Sequence, residues 1–129
     1  MASRLKVSEW IEILNSHKLT TEKVFEVLQT LYSFPGHEAA SSQIGAAIGI
    51  AGKSDGPVNR RVAAYAKRNA ATGNCRVEFT RRVDGSLQYW DFFFSGRRQG
   101  GLFFWKLRPE LRKALESVGV EKVELSNTP

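Results

Sequence analysis

Apolar side chains recur at three- and four-residue steps through about residue 71, at two-residue steps from 75 to 107 and at helical steps again to the end. The chain is therefore predicted to begin helical, turn to strands and close on a helix. In "SEWIEILNSH", Ser8 is placed to cap a helix whose stripe carries Trp10, Ile11, Ile13 and Leu14. "TTEKVFEVLQTLYSF" predicts a second helix, capped by Thr20 or Thr21, with Val24, Val27, Leu28 and Leu31 inward and Pro35-Gly36 as its stop. Ser41 or Ser42 caps a short helix with Ile44, Ala47 and Ile48 inward, ending at Gly49. After the loop "AGKSDG", Ser54 or Asp55 caps a longer helix with Pro57 in its first turn, running to about Ala71.

From residue 75 the pattern alternates. "CRVEFTRR" reads as a strand with Cys75, Val77 and Phe79 on one face, and "VDGS" as an Asp-Gly hairpin turn. "LQYWDFFF" is the returning strand, "SGRRQGG" a second turn and "LFFWKL" a third strand. "RPELRKALESVGV" closes as an amphipathic helix, with Pro109 near its start and Gly119 past its end. The predicted class is α+β: a winged-helix-like helical domain with a three-stranded antiparallel β-meander and a C-terminal helix.

Length changes this picture little: 129 residues without linker or repeat make one domain, 1–129. One cysteine, Cys75, excludes an internal disulfide and a cysteine zinc cluster. The N-terminal "MASRLKVSEW" lacks the apolar run of a signal peptide and no stretch reaches membrane-spanning length, so a cytoplasmic protein without a membrane partner is expected.

Charge adds more. The formal net charge is +6, and residues 52–82 carry eight basic and two acidic side chains while the flanking segments nearly cancel. Excess charge confined to one segment points to a polyanion-binding face, with a solvated face lacking a partner as the alternative. On "PVNRRVAAYAKRNAA", steps of about 100° put Val58, Val62, Ala66 and Asn69 on one side and Arg60, Arg61, Ala64, Lys67 and Arg68 on another. Four cations around one small residue, without interleaved acids, suit a phosphate backbone, and arginine can also grip a guanine edge bidentately. Lys53, Ser54 and Asn59 flank or begin this helix as further DNA-contacting candidates, and Arg81-Arg82 and Arg97-Arg98, read as hairpin-tip pairs, would extend the grip. The aromatics Tyr89, Trp90, Phe92, Phe93, Phe94, Phe103, Phe104 and Trp105 are expected chiefly as core, with base stacking the alternative.

Candidate chemistry is sparse. The two histidines, His17 and His37, are too few for a multi-histidine metal site, and no acidic residue is followed two positions later by lysine as in metal-dependent nucleases. Capping explains Ser41 and Ser42 without a triad. A binding module with no catalytic residue, metal or cofactor is the expectation.

"FPGH" (34–37), "SSQIGAAIG" (41–49), "GPVNRR" (56–61) and "WKLRPELRKALESVG" (105–119) resemble the sulfur-binding domain of phosphorothioate-dependent restriction endonucleases of the McrA-type, type IV class, over roughly residues 20–120. The resemblance implies a partner, double-stranded phosphorothioated DNA, whose non-bridging sulfur enters a shallow apolar cavity while cations hold the phosphates. Carried over by motif, Phe34, Pro35, Gly36 and His37 form the cavity loop with Ala39 or Ala40 behind it, and Arg60 and Arg61 are the DNA-reading cations. Cleavage of modified DNA would then fall to a nuclease domain or partner. Two other readings stand beside it: a winged-helix reader of methylated bases or of ordinary DNA sequence, and an assembly domain whose aromatic strands bury against a partner protein.

Overall fold

The computed structural model describes residues 5–49, 56–72 and 79–125. Helix α1 (Val7–Asn15) starts two residues earlier than expected: the Glu9 carboxylate accepts from the Lys6 amide at 2.8 Å, so an acid inside the first turn ties the end and Ser8 lies within the helix. Helix α2 (Glu22–Ser33) is capped by the Thr21 hydroxyl, which accepts from the Val24 amide at 3.3 Å. One tight turn, Pro35–His37, leads into strand β1 (Glu38–Ala40) and helix α3 (Ser41–Ala47). The Gln43 amide oxygen accepts from the Ala40 amide at 2.9 Å, so Ala40 occupies the cap position expected for a serine. Helix α4 spans Gly56–Thr72.

A short ladder pairs β2 (Thr80–Arg81) with β3 (Leu87–Gln88) around the expected Asp-Gly turn, where Asp84 accepts from the Ser86 amide at 2.9 Å. A one-turn helix (Tyr89–Phe92) follows, then β4 (Phe94–Gln99), β5 (Leu102–Leu107) and α5 (Pro109–Ser117). The three-stranded antiparallel sheet has the order β1-β5-β4, with Ala39 opposite Trp105 and Gly96 opposite Trp105.

The chain is thus mixed helix and sheet, but the expected meander is corrected. The third strand of the sheet is β1, contributed from between helices, while the described part of the expected first strand pairs only within β2–β3. The expected strand 87–94 is broken because Phe92, Phe93 and Phe94 are all buried. Successive residues of a strand face opposite sides; a helical turn lets three consecutive rings enter one core. Arg97 and Arg98 lie on β4 rather than in a turn, and the reversal falls at Gly100 and Gly101, whose φ values of 58° and 81° are the positive pair a tight hairpin needs.

The core is aromatic and sits where α1, α4, α5 and the sheet meet. The Phe93 ring stacks on Tyr65 at 4.8 Å and touches Trp10 at 5.7 Å, while Phe94 stacks on Trp105 at 5.0 Å. Arg108 locks the preceding segment to the start of α5, donating to the Asp91 carbonyl at 2.6 Å and its carboxylate at 2.7 Å. No described helix is long and apolar enough to cross a membrane.

Candidate nucleic-acid interface

Helix α4 forms a ridge with a cationic hollow on each flank. Val58, Val62, Tyr65, Ala66 and Asn69 bury its inner face. Arg60, Ala64 and Lys67 are exposed, and Arg61 and Arg68 half-buried, as the helical projection predicts. On one flank a depression of about 450 Å³ is lined by Thr21, Lys23, Val24, Pro57, Arg60, Arg61, Ala64 and Arg68. Two of its cations are held in place from behind. Arg61 donates to the Lys23 carbonyl at 3.0 Å and to the Glu26 carboxylate at 2.9 Å, and Arg68 donates to the Leu19 carbonyl at 3.0 Å. Anchoring one edge of a guanidinium leaves its remaining donors aimed, which lowers the ordering cost of gripping a phosphate oxygen.

On the other flank a larger cleft, about 1030 Å³, opens between the helices and both hairpins. Ser41 and Ser42 of α3 and Asn59 and Ala63 of α4 form one wall. Arg81, Arg82, Gly85 and Ser86 supply the β2–β3 side, and Tyr89, Trp90, Arg98, Leu102, Phe103 and Trp105 line the floor and far side. Lys67 reaches over the Tyr89 ring at 5.4 Å, and Arg98 over Phe103 at 5.7 Å. No carboxylate lines either hollow among the described residues.

The structure therefore gathers Arg60, Arg61 and Arg68 on one side of α4 and Arg81, Arg82 and Arg98, with Asn59, on the other. Lys53 and Ser54, like Asp55 and Cys75, lie outside the described residues. The loop 34–37 joins neither group. Glu26, the partner of Arg61, is in the second turn of α2, and the loop follows the helix end seven residues on, about 10 Å along the axis.

Within that loop, Phe34 (9% exposed) and Ala39 (0%) belong to the core, so they hold the loop from beneath. Pro35 and Gly36 are exposed, and Gly36 has a φ of 68° that explains the glycine. The His37 ring stacks on Tyr32 at 4.5 Å with Nδ1 2.7 Å from the Tyr32 carbonyl oxygen. Ala40 is buried at the edge of the large cleft.

The cation that accompanies the loop is Arg97, which donates twice to Glu38, at 2.7 and 2.9 Å, and also to Gln99. Hydrogen bonding from Arg97 holds the Glu38 carboxyl below the usual glutamate range. The pair is therefore complete above that range and is lost as the pH falls through the lowered value. A carbon-13 NMR titration is expected to show the Glu38 midpoint moving up in Arg97→Ala; an unmoved midpoint would mean the pair does not persist in solution.

Two features of this surface were not read from the sequence. The Glu26–Arg61 tie joins residues 35 positions apart, and the cleft is assembled from five separate segments, so neither leaves a local pattern. No family model, curated protein or solved structure matches this chain.

Proposed function

We propose that this chain binds double-stranded DNA as a winged-helix module, and that the linkage it selects carries a phosphorothioate. The observation carrying the first part is the ridge of α4 between two cationic hollows free of carboxylates among the described residues. Phosphates passing on either side of an inserted helix would meet Arg60, Arg61 and Arg68 on one flank and Arg81, Arg82 and Arg98 on the other. The element order supports the winged-helix form: a helix, a short strand, two further helices, then a hairpin whose inner strand pairs with that short strand.

The second part is supported by the resemblance of the 34–37 segment and by the exposure of Pro35 and of Gly36, which lies two residues before Glu38, the partner of Arg97. Sulfur is larger, more polarizable and less strongly hydrated than oxygen, so a pyrrolidine ring is a suitable neighbour. Burying one sulfur gains on the order of 1 kcal/mol. An oxygen anion forced to the same place loses water without gaining a donor, at a cost of roughly 1–3 kcal/mol. Affinity then comes from the arginines and selectivity from the loop.

One oligonucleotide duplex, with and without a single phosphorothioate of defined stereochemistry, tests both parts. The sulfur is expected to tighten binding by about tenfold or more, the difference shrinking in Pro35→Ala. Arg60→Ala is expected to weaken both complexes alike and to reduce the slope of log affinity against log salt by about one. Equal affinity for the two duplexes would remove the phosphorothioate reading, and the absence of salt-dependent binding to either would remove DNA binding.

A further inference from the structure

The large cleft contains more than a phosphate seat requires. A backbone contact needs cations and donors, yet the floor here is a set of rings. Trp90 and Phe103 are half-buried, meet edge to face at 5.0 Å, and are backed by Trp105, whose indole stacks against Trp90 at 6.4 Å. Their positions are fixed by a glycine. A Cβ on Gly96 would fall 2.5 Å from Phe103 and 2.6 Å from Trp90, so both rings lie directly against the backbone of β4. Rings at the ends of such a sheet are ordinarily covered by apolar side chains. Here Ser42 and Asn59 are exposed on the helical wall, among the small or buried Ala40, Val62 and Ala63.

Around this floor stand Arg81, Arg82 and Arg98 with no lining carboxylate among the described residues. Arg98 pairs with Phe103 along the β4–β5 ladder, and its guanidinium lies over the Phe103 ring at 5.7 Å. A floor of angled rings, a rim of cations and an opposed amide match one ligand chemistry: a planar heterocycle, stacked on one ring and edged by the other, joined to a phosphate. The volume, about 1030 Å³, leaves room for it.

We propose that the cleft receives a single nucleotide turned out of the DNA strand, its base stacked on Trp90 with Phe103 at its border, its phosphate on Arg98 and Arg81, and its edge toward Asn59. This rests on the DNA-binding reading above but not on the phosphorothioate one, because the loop 34–37 does not line the cleft. Extrusion costs unpairing and unstacking, so a nucleotide already unpaired is captured more readily. The amide of Asn59 offers both donor and acceptor to a base edge.

Fluorescence anisotropy with two duplexes that differ only by one mismatched base pair tests it. The mismatched duplex is expected to bind about tenfold or more tightly, since part of the extrusion cost is already met. Trp90→Leu is expected to abolish that preference while leaving the salt dependence on the paired duplex unchanged. Should Trp90→Leu not fold, Arg98→Ala, on the exposed part of β4, keeps the test standing; it too is expected to erase the preference. Intrinsic fluorescence gives an independent readout: Trp90 and its stacking partner Trp105 both line the cleft while Trp10 lies in the core, so quenching on loading that is lost in Trp90→Leu reports Trp90. Equal affinity for paired and mismatched duplexes, with salt-dependent binding intact, would overturn this inference alone. No binding to either duplex would overturn it together with the DNA-binding reading.

Discussion

Replacing Phe93 by alanine is expected to lower the unfolding free energy by about 3–5 kcal/mol. The ring is fully buried and is the common neighbour of four others: Tyr65 at 4.8 Å, Phe92 at 5.2 Å, Trp10 at 5.7 Å and Phe94 at 5.8 Å. Those partners come from α1, α4 and the segment running into β4, so a void at Phe93 loosens three elements together. The neighbouring rings are too large to turn into the space without leaving their own contacts, which places the cost at the upper end for its class. A domain of this size is stable by about 5–15 kcal/mol, so the loss is a large share of the whole. Urea unfolding followed by circular dichroism should show a lower midpoint with an unchanged slope. Val83→Ser, at a fully exposed turn position, is expected to shift stability by less than about 0.5 kcal/mol. A Phe93→Ala midpoint as close to the parent as that would mean the rings do not form the core described.

Stability is expected to fall steeply in alkali because of one phenol. The Tyr65 side chain is fully buried, and its hydroxyl lies 2.8 Å from the Thr20 hydroxyl oxygen. Thr20 gives its single hydrogen to the Ile13 carbonyl at 2.7 Å, so Tyr65 is the donor between the two hydroxyls. Burial pushes the Tyr65 phenol well above the ordinary tyrosine range. In the unfolded chain the same phenol ionises near pH 10, so above that value the unfolded state holds fewer protons than the folded one. Folding stability then declines with rising pH by up to about 1.4 kcal/mol per unit, and below the ordinary range this group contributes no pH dependence. Tyr65→Phe should remove that component of the slope, at a neutral-pH cost of about 1 kcal/mol for the lost hydrogen bond. Unfolding free energies measured at intervals across the alkaline range in both proteins check this, and parallel curves would contradict it.

The helices were legible because their signals are local. Thr21 caps α2, Pro57 sits in the first turn of α4, and Pro109 and Gly119 bracket α5. The sheet was not, because its decisive strand is three residues long. Glu38–Ala40 is too short to display alternation, and only pairing with β5 makes it a strand. Strand β4 misleads for a different reason. Beyond Phe94 its residues are all exposed, so "SGRRQ" carries no buried face to betray it, although the Gly-Gly pair marked the true reversal. At the interface, the arc of α4 followed from helical geometry alone. Its backing by Glu26, the distance of the 34–37 loop from Arg61 and the partial exposure of Trp90 and Phe103 depend on contacts between distant segments, which no local spacing encodes.

Ala40 ends β1 and caps α3, so the β4–β5 hairpin and α3 hang from one backbone joint. A slip of β5 along β1 would drag α3 with it, and on that side the jaw of the cleft has a gauge fixed by ladder hydrogen bonds. For the guest proposed above, selection would then begin with calibre, before any single contact forms.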